Sequence, residues 1–422
     1  MVSIEATTCD IAIAGGGIVG LATARALLSA SRCTVTVLEA EAEIAQHQTG
    51  HNSGVVHSGL YYQPGSLKAR TCIDGSRALL RYCENRGIPF ERCGKLVVAV
   101  TDSEVPALDE LERRGRANGI IGLRRLSAGE ILEHEPHAAG IAALLVPATA
   151  IVEFRAVARA FRKDIEAAGG MVVTSARVRT VRAEPPGVLV IAGEKEIRCR
   201  HLVNCAGLQS DRLARLCGSD PGLRIVPFRG DYFELRAQAR HLVRNLIYPV
   251  PDPRLPFLGV HLTRTIDGRR EAGPNAVLAL SRNGYGRFSI SLFDAFDSVS
   301  YPGLWKLART YANTAVSEVK RSLSARAFVA SARRLVPDLE LEDVERGGCG
   351  IRAQAVLPSG ALVDDFQILD GERTTHVLNA PSPAASASIA IGESIARRVL
   401  RRIASEPGGA DPSIQLHDSG TR

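Results

Sequence analysis

The sequence predicts an α/β fold, on observations that all fall within its first forty residues. Asp10-Ile-Ala-Ile-Ala is an apolar run of strand character, Gly15-Gly-Gly-Ile-Val-Gly20 is a glycine turn, and Leu21 to Ser29 is an Ala/Leu-rich stretch of helical type. Cys33-Thr-Val-Thr-Val-Leu38 then supplies a second buried strand, so the chain opens on a β-α-β unit. Such a crossover joins parallel strands, and its apolar runs imply a sheet covered on both faces.

Further elements follow in order. Arg70 to Arg86 reads as a helix, and Gly94-Lys-Leu-Val-Val-Ala-Val100 as a strand of another sheet. Helical patterns occupy Ser103 to Asn118, Ser127 to Glu133 and 154–168, with strands at Met171-Val-Val-Thr and His201-Leu-Val-Asn-Cys205. From Ile225 to Leu280, strand-like runs separated by Pro and Gly suggest a mixed or antiparallel sheet. Helices fill 302–334, strands lie at Cys349 to Ala355 and Thr375 to Asn379, and a last helix runs over 384–403.

Composition narrows the function classes. A chain of 422 residues, 45% hydrophobic, can bury a large core. The net charge of +7 suits anionic ligands, but the arginines are scattered among acids, and no basic block marks a nucleic-acid arm. Nine cysteines, without a C-x-x-C pair, point to a reducing compartment and to no thiolate metal site. The first ten residues lack a basic leader pattern, and the apolar run from Ile11 to Leu28 is broken by glycines and Arg25, so a cytoplasmic protein without a span there is expected.

Gly15, Gly17 and Gly20 form G-x-G-x-x-G between a strand and a helix, with Ile18 and Val19 opening that helix. Glycine permits the turn, the approach of a pyrophosphate and close helix packing, and the helix N-terminus favours negative charge. Glu39 ends the second strand where a carboxylate can accept from ribose hydroxyls. These features predict a Rossmann-type dinucleotide site and leave NAD and FAD open. The long polar segment from Gln46 to Gly59, which includes Asn52, Ser53 and Gly54, favours the larger cofactor, FAD, because its backbone amides suit a pyrophosphate or a flavin ring. An ordinary surface loop is the alternative.

At this point a resemblance covers nearly the whole chain to about residue 400. The runs Gly15-GGIVGLA-Thr23, His47-QTGHNSGVVHSGLYY-Gln63, Ser66-LKAR-Thr71, Cys93-GKLVVAV-Thr101, Ile225-VPFRGDY-Phe233, Ile247-YPVP-Asp252, Pro256-FLGVH-Leu262, Gly273-PNAVLAL-Ser281 and Asn379-APSPAAS-Ala387 resemble, in order, the L-2-hydroxyglutarate dehydrogenase/oxidase family of D-amino-acid-oxidase-like flavoproteins. The resemblance implies FAD, a dicarboxylate substrate oxidised to 2-oxoglutarate by hydride transfer to flavin N5, and electrons passed on to a quinone, another acceptor or oxygen. It further implies a discontinuous FAD-binding domain over 1–90, 150–220 and 340–403, with an inserted α+β substrate domain over 91–149 and 221–339. The Gly/Pro/Ser/Asp-rich tail 404–422 is expected to be disordered. Another 2-hydroxy acid, glycerol 3-phosphate or an amine remains the alternative substrate.

Oxidising a secondary alcohol requires a base, and histidine suits neutral pH. His57, whose His-Ser-Gly-Leu-Tyr-Tyr setting is similar to a flavin-linked glycerol-phosphate dehydrogenase motif, is one candidate, with Tyr62 on the substrate side. His261, after an apolar run, is the competing base, and His47 and His51 are weaker choices. Two carboxylates call for cationic donors, for which arginine has the matching shape. Arg352 resembles the arginine of the superfamily's G-x-R-P element, although Ala353 stands where that element has Pro, and Arg229 is the second candidate anchor. Ala206 and Gly207 resemble a turn near the ADP moiety, and Val178 matches a strand position near adenine. Ser382, Ala384 and Ala385 precede the last helix, whose N-terminus suits negative charge on the flavin ring. That helix carries Arg397, Arg398, Arg401 and Arg402, read as a solvated face, with peripheral contact to anionic lipid as the alternative if the acceptor is a membrane quinone.

Overall fold

The computed structural model describes residues 6–252, 258–380 and 382–405, so the expected tail from 406 onward and residues 253–257 of the run before His261 lie outside the described residues. The chain divides into two compact units: Met1–Gly50, Phe154–Ile225 and Ala353–Arg422 form the first, and His51–Glu153 with Val226–Arg352 form the second. Residues 51–90, expected with the nucleotide-binding segments, fall in the second unit. The physical reason is strand pairing, since Val55–Val56 and Phe90–Glu91 both pair with Ala150–Val152.

The first unit is built on an eight-stranded sheet. Strand β1 (Ala6–Ala14) lies inside it, parallel to β2 (Val35–Leu38) on one side and to Lys195–Asn204 on the other. Ile11 and Ile13 are wholly buried, as are Ala12 and Val37, which is why this stretch reads as a continuous apolar run rather than an alternating one. Met171–Val173 extends the parallel set beyond β2. Lys195–Asn204 is shared: its first half pairs antiparallel with Gly187–Ala192, and its last three residues run parallel to Thr374–His376. Helix α1 (Ile18–Ala30) packs against Phe154–Ala167 and against the last helix, Ser388–Ser405. At Gly392 the last helix approaches Ala22 so closely that a Cβ there would lie 2.5 Å from the Ala22 carbonyl carbon.

The second unit carries a nine-stranded mixed sheet and a small three-stranded one. The strand Leu96–Ala99 shows how the large sheet is covered: Leu96 and Val98 join one apolar cluster with Phe233, Leu262 and Phe328, while Val97 and Ala99 join another with Leu108, Leu144 and Tyr248. Alternate side chains point to opposite faces, so a strand apolar at every position is buried on both.

One helix of this unit reverses the usual arrangement. Along Leu292–Val299 the polar residues are turned inward: the Asp294 carboxylate accepts from the Arg282 backbone N–H at 2.9 Å, and Asp297 takes the guanidinium of the fully buried Arg282 at 2.9 Å. Its apolar side chains point to solvent, with Leu292 85% and Phe296 73% exposed. The apolar exposure continues through Trp305 on Pro302–Thr310 and through Val316, Val319 and Leu323 on Ala312–Leu323. A surface helix ordinarily buries its apolar stripe, and here that stripe faces solvent.

Candidate active site

In the first unit the candidate nucleotide contacts are made largely of backbone. Gly15 has φ +117°, and a Cβ there would lie 2.4 Å from the Cys205 carbonyl oxygen. A Cβ on Gly20 would meet the Gly15 carbonyl oxygen at 2.0 Å. Both positions therefore require glycine for the turn itself. Gly17 differs, because a Cβ there would meet no protein atom closer than Thr49 Oγ1 at 3.5 Å, which leaves room for a ligand at the N-terminus of α1.

Glu39 is buried and acts first on the turn: its two carboxylate oxygens accept from the Gly16 N–H at 2.7 Å and the Glu41 N–H at 2.9 Å. Thr49, which sequence reasoning missed, accepts at Oγ1 from the Ile18 N–H at 3.0 Å. Gln48, also missed, accepts from the Ala353 N–H at 3.1 Å. Ala206 donates to Asn204 Oδ1 at 3.1 Å, and Gly207 has φ +52°. Val178 opens a strand, just after Ala176 donates its N–H to the Glu39 carbonyl at 2.7 Å. Ser382, Ala384 and Ala385 lie in the turn before the last helix, where Ser388 N–H reaches the Ala385 carbonyl at 3.3 Å. Val19 lies in the first turn of α1.

In the second unit the site is made of side chains from distant segments. His57 follows the short strand Val55–Val56, and its carbonyl accepts from Cys72 Sγ at 3.6 Å. Burial, followed by Lys95 and His261, pushes the His57 imidazole down to about 3. His261 is buried, and its Nδ1 lies 3.0 Å from the Gly259 carbonyl oxygen. A carbonyl only accepts, so Nδ1 carries the hydrogen and Nε2 keeps its lone pair. Burial pushes His261 down to about 4 against the Gly259 hydrogen bond, and its ring tilts over Tyr248 at 4.1 Å. The Tyr62 phenol is pushed well above its ordinary range by burial, with Arg352 acting in the opposite sense. Asn118 fixes the Tyr61–Tyr62 loop by donating to the Gly59 and Tyr62 carbonyls at 3.1 and 3.0 Å.

A buried lysine beside these residues is one that sequence reasoning passed over as part of a strand. Lys95 is 2% exposed, donates to the Tyr61 hydroxyl at 3.2 Å, and lies 4.4 Å from the Tyr61 ring centroid and 4.8 Å from that of Tyr248. Burial pushes its ammonium down to about 7. Arg229, expected to meet substrate, is engaged with its own surroundings: its Nε donates to Asp231 at 2.6 Å, and its Nη1 to the Tyr285 and Gly286 carbonyls at 3.2 and 2.7 Å. Arg352 stands exposed near the end of the strand Val344–Val356. His51 stacks on Tyr285 at 3.8 Å, with its Nδ1 3.1 Å from the Cys349 carbonyl oxygen. Asn52 Oδ1 accepts from the Gly54 N–H at 2.9 Å, Ser53 bonds the Tyr248 phenol, and a Cβ on Gly54 would meet the Val152 carbonyl oxygen at 2.7 Å. Among the described residues no group of His, Cys, Asp and Glu could hold a metal ion.

A family model described as FAD dependent oxidoreductase matches residues 10–398. The chain is 44% identical to an L-2-hydroxyglutarate dehydrogenase of Indibacter alkaliphilus, over 93% of this chain and 99% of that one. It is 45% identical to the mitochondrial L-2-hydroxyglutarate dehydrogenase of Homo sapiens, over 95% and 90% of the two chains. The chain belongs to the L-2-hydroxyglutarate dehydrogenase family of FAD-dependent oxidoreductases.

Solved structures of similar fold are consistent with membership of the FAD-dependent oxidoreductases. The L-α-glycerophosphate oxidase of Mycoplasma pneumoniae, a structure with FAD bound, superposes with a TM-score of 0.77 at 22% identity, over 93% of this chain and 94% of that one. Glycine oxidase of Geobacillus kaustophilus superposes at 0.69 and 18% identity, over 98% and 100%. The cofactor of the family is FAD, and the enzyme is an oxidoreductase acting on a CH–OH donor. The open side of Gly17 and the glycine-only contacts at Gly15 and Gly20 fit the nucleotide end of that cofactor.

Proposed function

We propose that the chain oxidises L-2-hydroxyglutarate to 2-oxoglutarate. The observation that carries this reading is the pair of imidazoles, His57 and His261, both held in the uncharged form a base requires, in a chain whose relatives bear that substrate in their names. The reaction removes the hydroxyl proton and, from Cα, a hydride. His57 receives the proton on a ring nitrogen, and a bound dicarboxylate raises its basicity by bringing negative charge beside it. His261, with Nδ1–H fixed on Gly259 and Nε2 unprotonated, is the competing acceptor for that same hydroxyl proton. Tyr62 lines the substrate side, and Arg352 takes one carboxylate. Arg229 holds its strand to the Tyr285–Gly286 segment. FAD, when bound, supplies the two-electron acceptor at flavin N5. Gly15, Gly17, Ile18, Val19, Gly20, Glu39, Val178, Ala206 and Gly207 would hold its ADP half, and Ser382, Ala384 and Ala385 of the same unit would face the ring. Anaerobic mixing tests the reading. L-2-Hydroxyglutarate is expected to bleach the flavin rapidly, and prompt bleaching by glycerol 3-phosphate, another 2-hydroxy acid or an amine with none by L-2-hydroxyglutarate overturns it.

The acceptor is read as a quinone reached at a membrane surface, rather than oxygen. Support comes from the inverted helix Leu292–Val299 and its neighbours, where the exposed charges Arg287, Lys306, Arg309, Lys320 and Arg326 are all basic. The acids of this region, Asp294, Asp297 and Glu318, are engaged by Arg282 and Arg321. An apolar face rimmed by cations suits the interface of an anionic bilayer. The last helix suits it less, since Arg398 pairs with Asp370 at 2.6 Å and Arg402 donates to the Gly371 carbonyl at 2.7 Å. Among the described residues no helix is long and apolar enough to cross a membrane. Phe293→Ser with Phe296→Ser is expected to abolish co-sedimentation with phosphatidylglycerol vesicles while changing stability by less than about 0.5 kcal/mol. Equal sedimentation of both proteins, or none by the unaltered one, overturns the membrane reading.

A further inference from the structure

Lys95 is the buried charge that the reading of His57 as base does not use. It sits at the head of the strand Leu96–Ala99, held there by backbone hydrogen bonds in both directions with Val146 at 3.2 and 2.8 Å. Two aromatic faces, of Tyr61 and Tyr248, flank its ammonium, and one hydroxyl oxygen accepts from it. Among the described residues no carboxylate pairs with it. The titratable groups that bear on it or are felt from it are His57, His261 and Cys72. All three are neutral at pH 7, because burial pushes the Cys72 thiol up to about 12 and keeps both imidazoles unprotonated.

A buried ammonium is costly unless an anion or a full set of acceptors offsets the loss of water. Ring faces recover part of that loss, and one phenol hydroxyl serves one of the three N–H donors. The remaining donors sit among two imidazoles and two phenols, the company in which the proposed chemistry takes place. With the amine pushed down to about 7, an anion arriving there would favour its protonated form and pair with a cation stripped of water, more strongly than the same pair at a surface. A second effect follows for the base. A carboxylate on Lys95 offsets the positive charge that disfavours protonation of His57.

We propose that Lys95 receives the distal carboxylate of the substrate and is the residue that selects a dicarboxylic 2-hydroxy acid over its monocarboxylic counterpart. This rests on the reading of the second unit as the substrate site. It divides the two ends of the substrate between two cations: Arg352 takes the carboxylate beside the reacting carbon and Lys95 the far one. Lys95 is thus a specificity residue: its first effect falls on binding of the far carboxylate, and its effect on the base follows only from that binding.

The holoenzyme with Lys95→Met tests this, together with Lys95→Gln, which retains a polar donor without the charge, and Lys95→Arg, which keeps the charge. Flavin content and far-ultraviolet circular dichroism establish that each is folded. Two unreactive probes, glutarate and pentanoate, are titrated against the flavin absorbance, and L-2-hydroxyglutarate and L-2-hydroxypentanoate are compared as substrates. The expected result is a loss of about tenfold to a hundredfold in glutarate affinity and in kcat/KM for the dicarboxylate, the range for a hydrogen bond to a charged group, with the monocarboxylates changed less than about threefold. Lys95→Arg is expected to restore part of the preference. Should Lys95→Met lose its flavin, Lys95→Gln carries the same comparison. Equal losses for mono- and dicarboxylates, or an unchanged preference in either variant, overturn the proposal. If the unaltered enzyme itself shows no flavin reduction by L-2-hydroxyglutarate, the substrate reading fails first, and the glutarate titration still decides whether Lys95 binds a carboxylate.

Discussion

The two units solve the problem of holding a ligand by opposite means. In the first, Gly15, Gly17 and Gly20 work by what they lack: removing a side chain lets one backbone approach another, or a ligand, and the polar contacts come from main-chain N–H groups braced by Glu39 and Thr49. In the second, the proposed contacts His57, Tyr62, Lys95, Tyr248 and His261 would work by what they carry, and they come from segments far apart in sequence. A site made of backbone recognises what all members of a cofactor class share. A site made of side chains recognises what distinguishes one substrate from another, and it can change residue by residue while the fold stays the same.

The comparison breaks most visibly at Gly20. Gly20→Val places a side chain against the Gly15 carbonyl oxygen and is expected to abolish flavin retention, read as the ratio of absorbance at 450 nm to that at 280 nm; a variant that purifies with full flavin shows the turn to be more forgiving than its geometry. His57→Ala tests the other half. It is expected to keep FAD and to lose about 10² to 10⁴ in the rate of flavin reduction. A near-normal rate moves the base to His261.

A smaller effect separates the cations of the second unit by task. Arg229→Met removes the partner of Asp231 and of two carbonyls, so it should cost about 2 kcal/mol in urea unfolding and leave KM close to its original value. A large KM change with unaltered stability would return Arg229 to the substrate. The smallest effect is graded with pH. His201 and His376 in the first unit are pushed down to about 3 and 4 by burial, as are His57 and His261 in the second. The unfolded chain takes up protons near pH 6.5 and the folded one only below about 4, so stability should fall steadily as pH drops across that window. His201→Gln is expected to flatten the fall, measured as the urea midpoint at pH 7 and at pH 5.

How far the sequence foretold each site follows from the same contrast. Gly15 to Glu39 is a local pattern in which spacing alone states the geometry, and the strand, turn and helix form where the apolar runs place them. The sequence could not show that the Glu39 carboxylate grips the turn itself, because Gly16 and Glu39 meet only once the sheet forms. Lys95 was invisible for a related reason. A lysine ahead of Leu-Val-Val-Ala looks like the solvated start of a strand, and only the arrival of Tyr61 and Tyr248 reveals it as buried. The helix Leu292–Val299 escaped because its apolar pattern faces outward. Its signal was present in Leu292, Phe293 and Phe296, but the polar partner that inverts it, Arg282, lies ten residues and more away.

The seat of the last helix on α1 joins segments that lie far apart in sequence. The strand β1 and the glycine turn precede the whole second unit in sequence, and the Thr374–Asn379 strand and the helix that closes on Ala22 through Gly392 follow it. The first unit is therefore completed on one side only by segments that follow the whole of the second unit in sequence. A chain halted shortly before residue 388 would contain every residue of the G-x-G-x-x-G turn and still lack the wall behind α1.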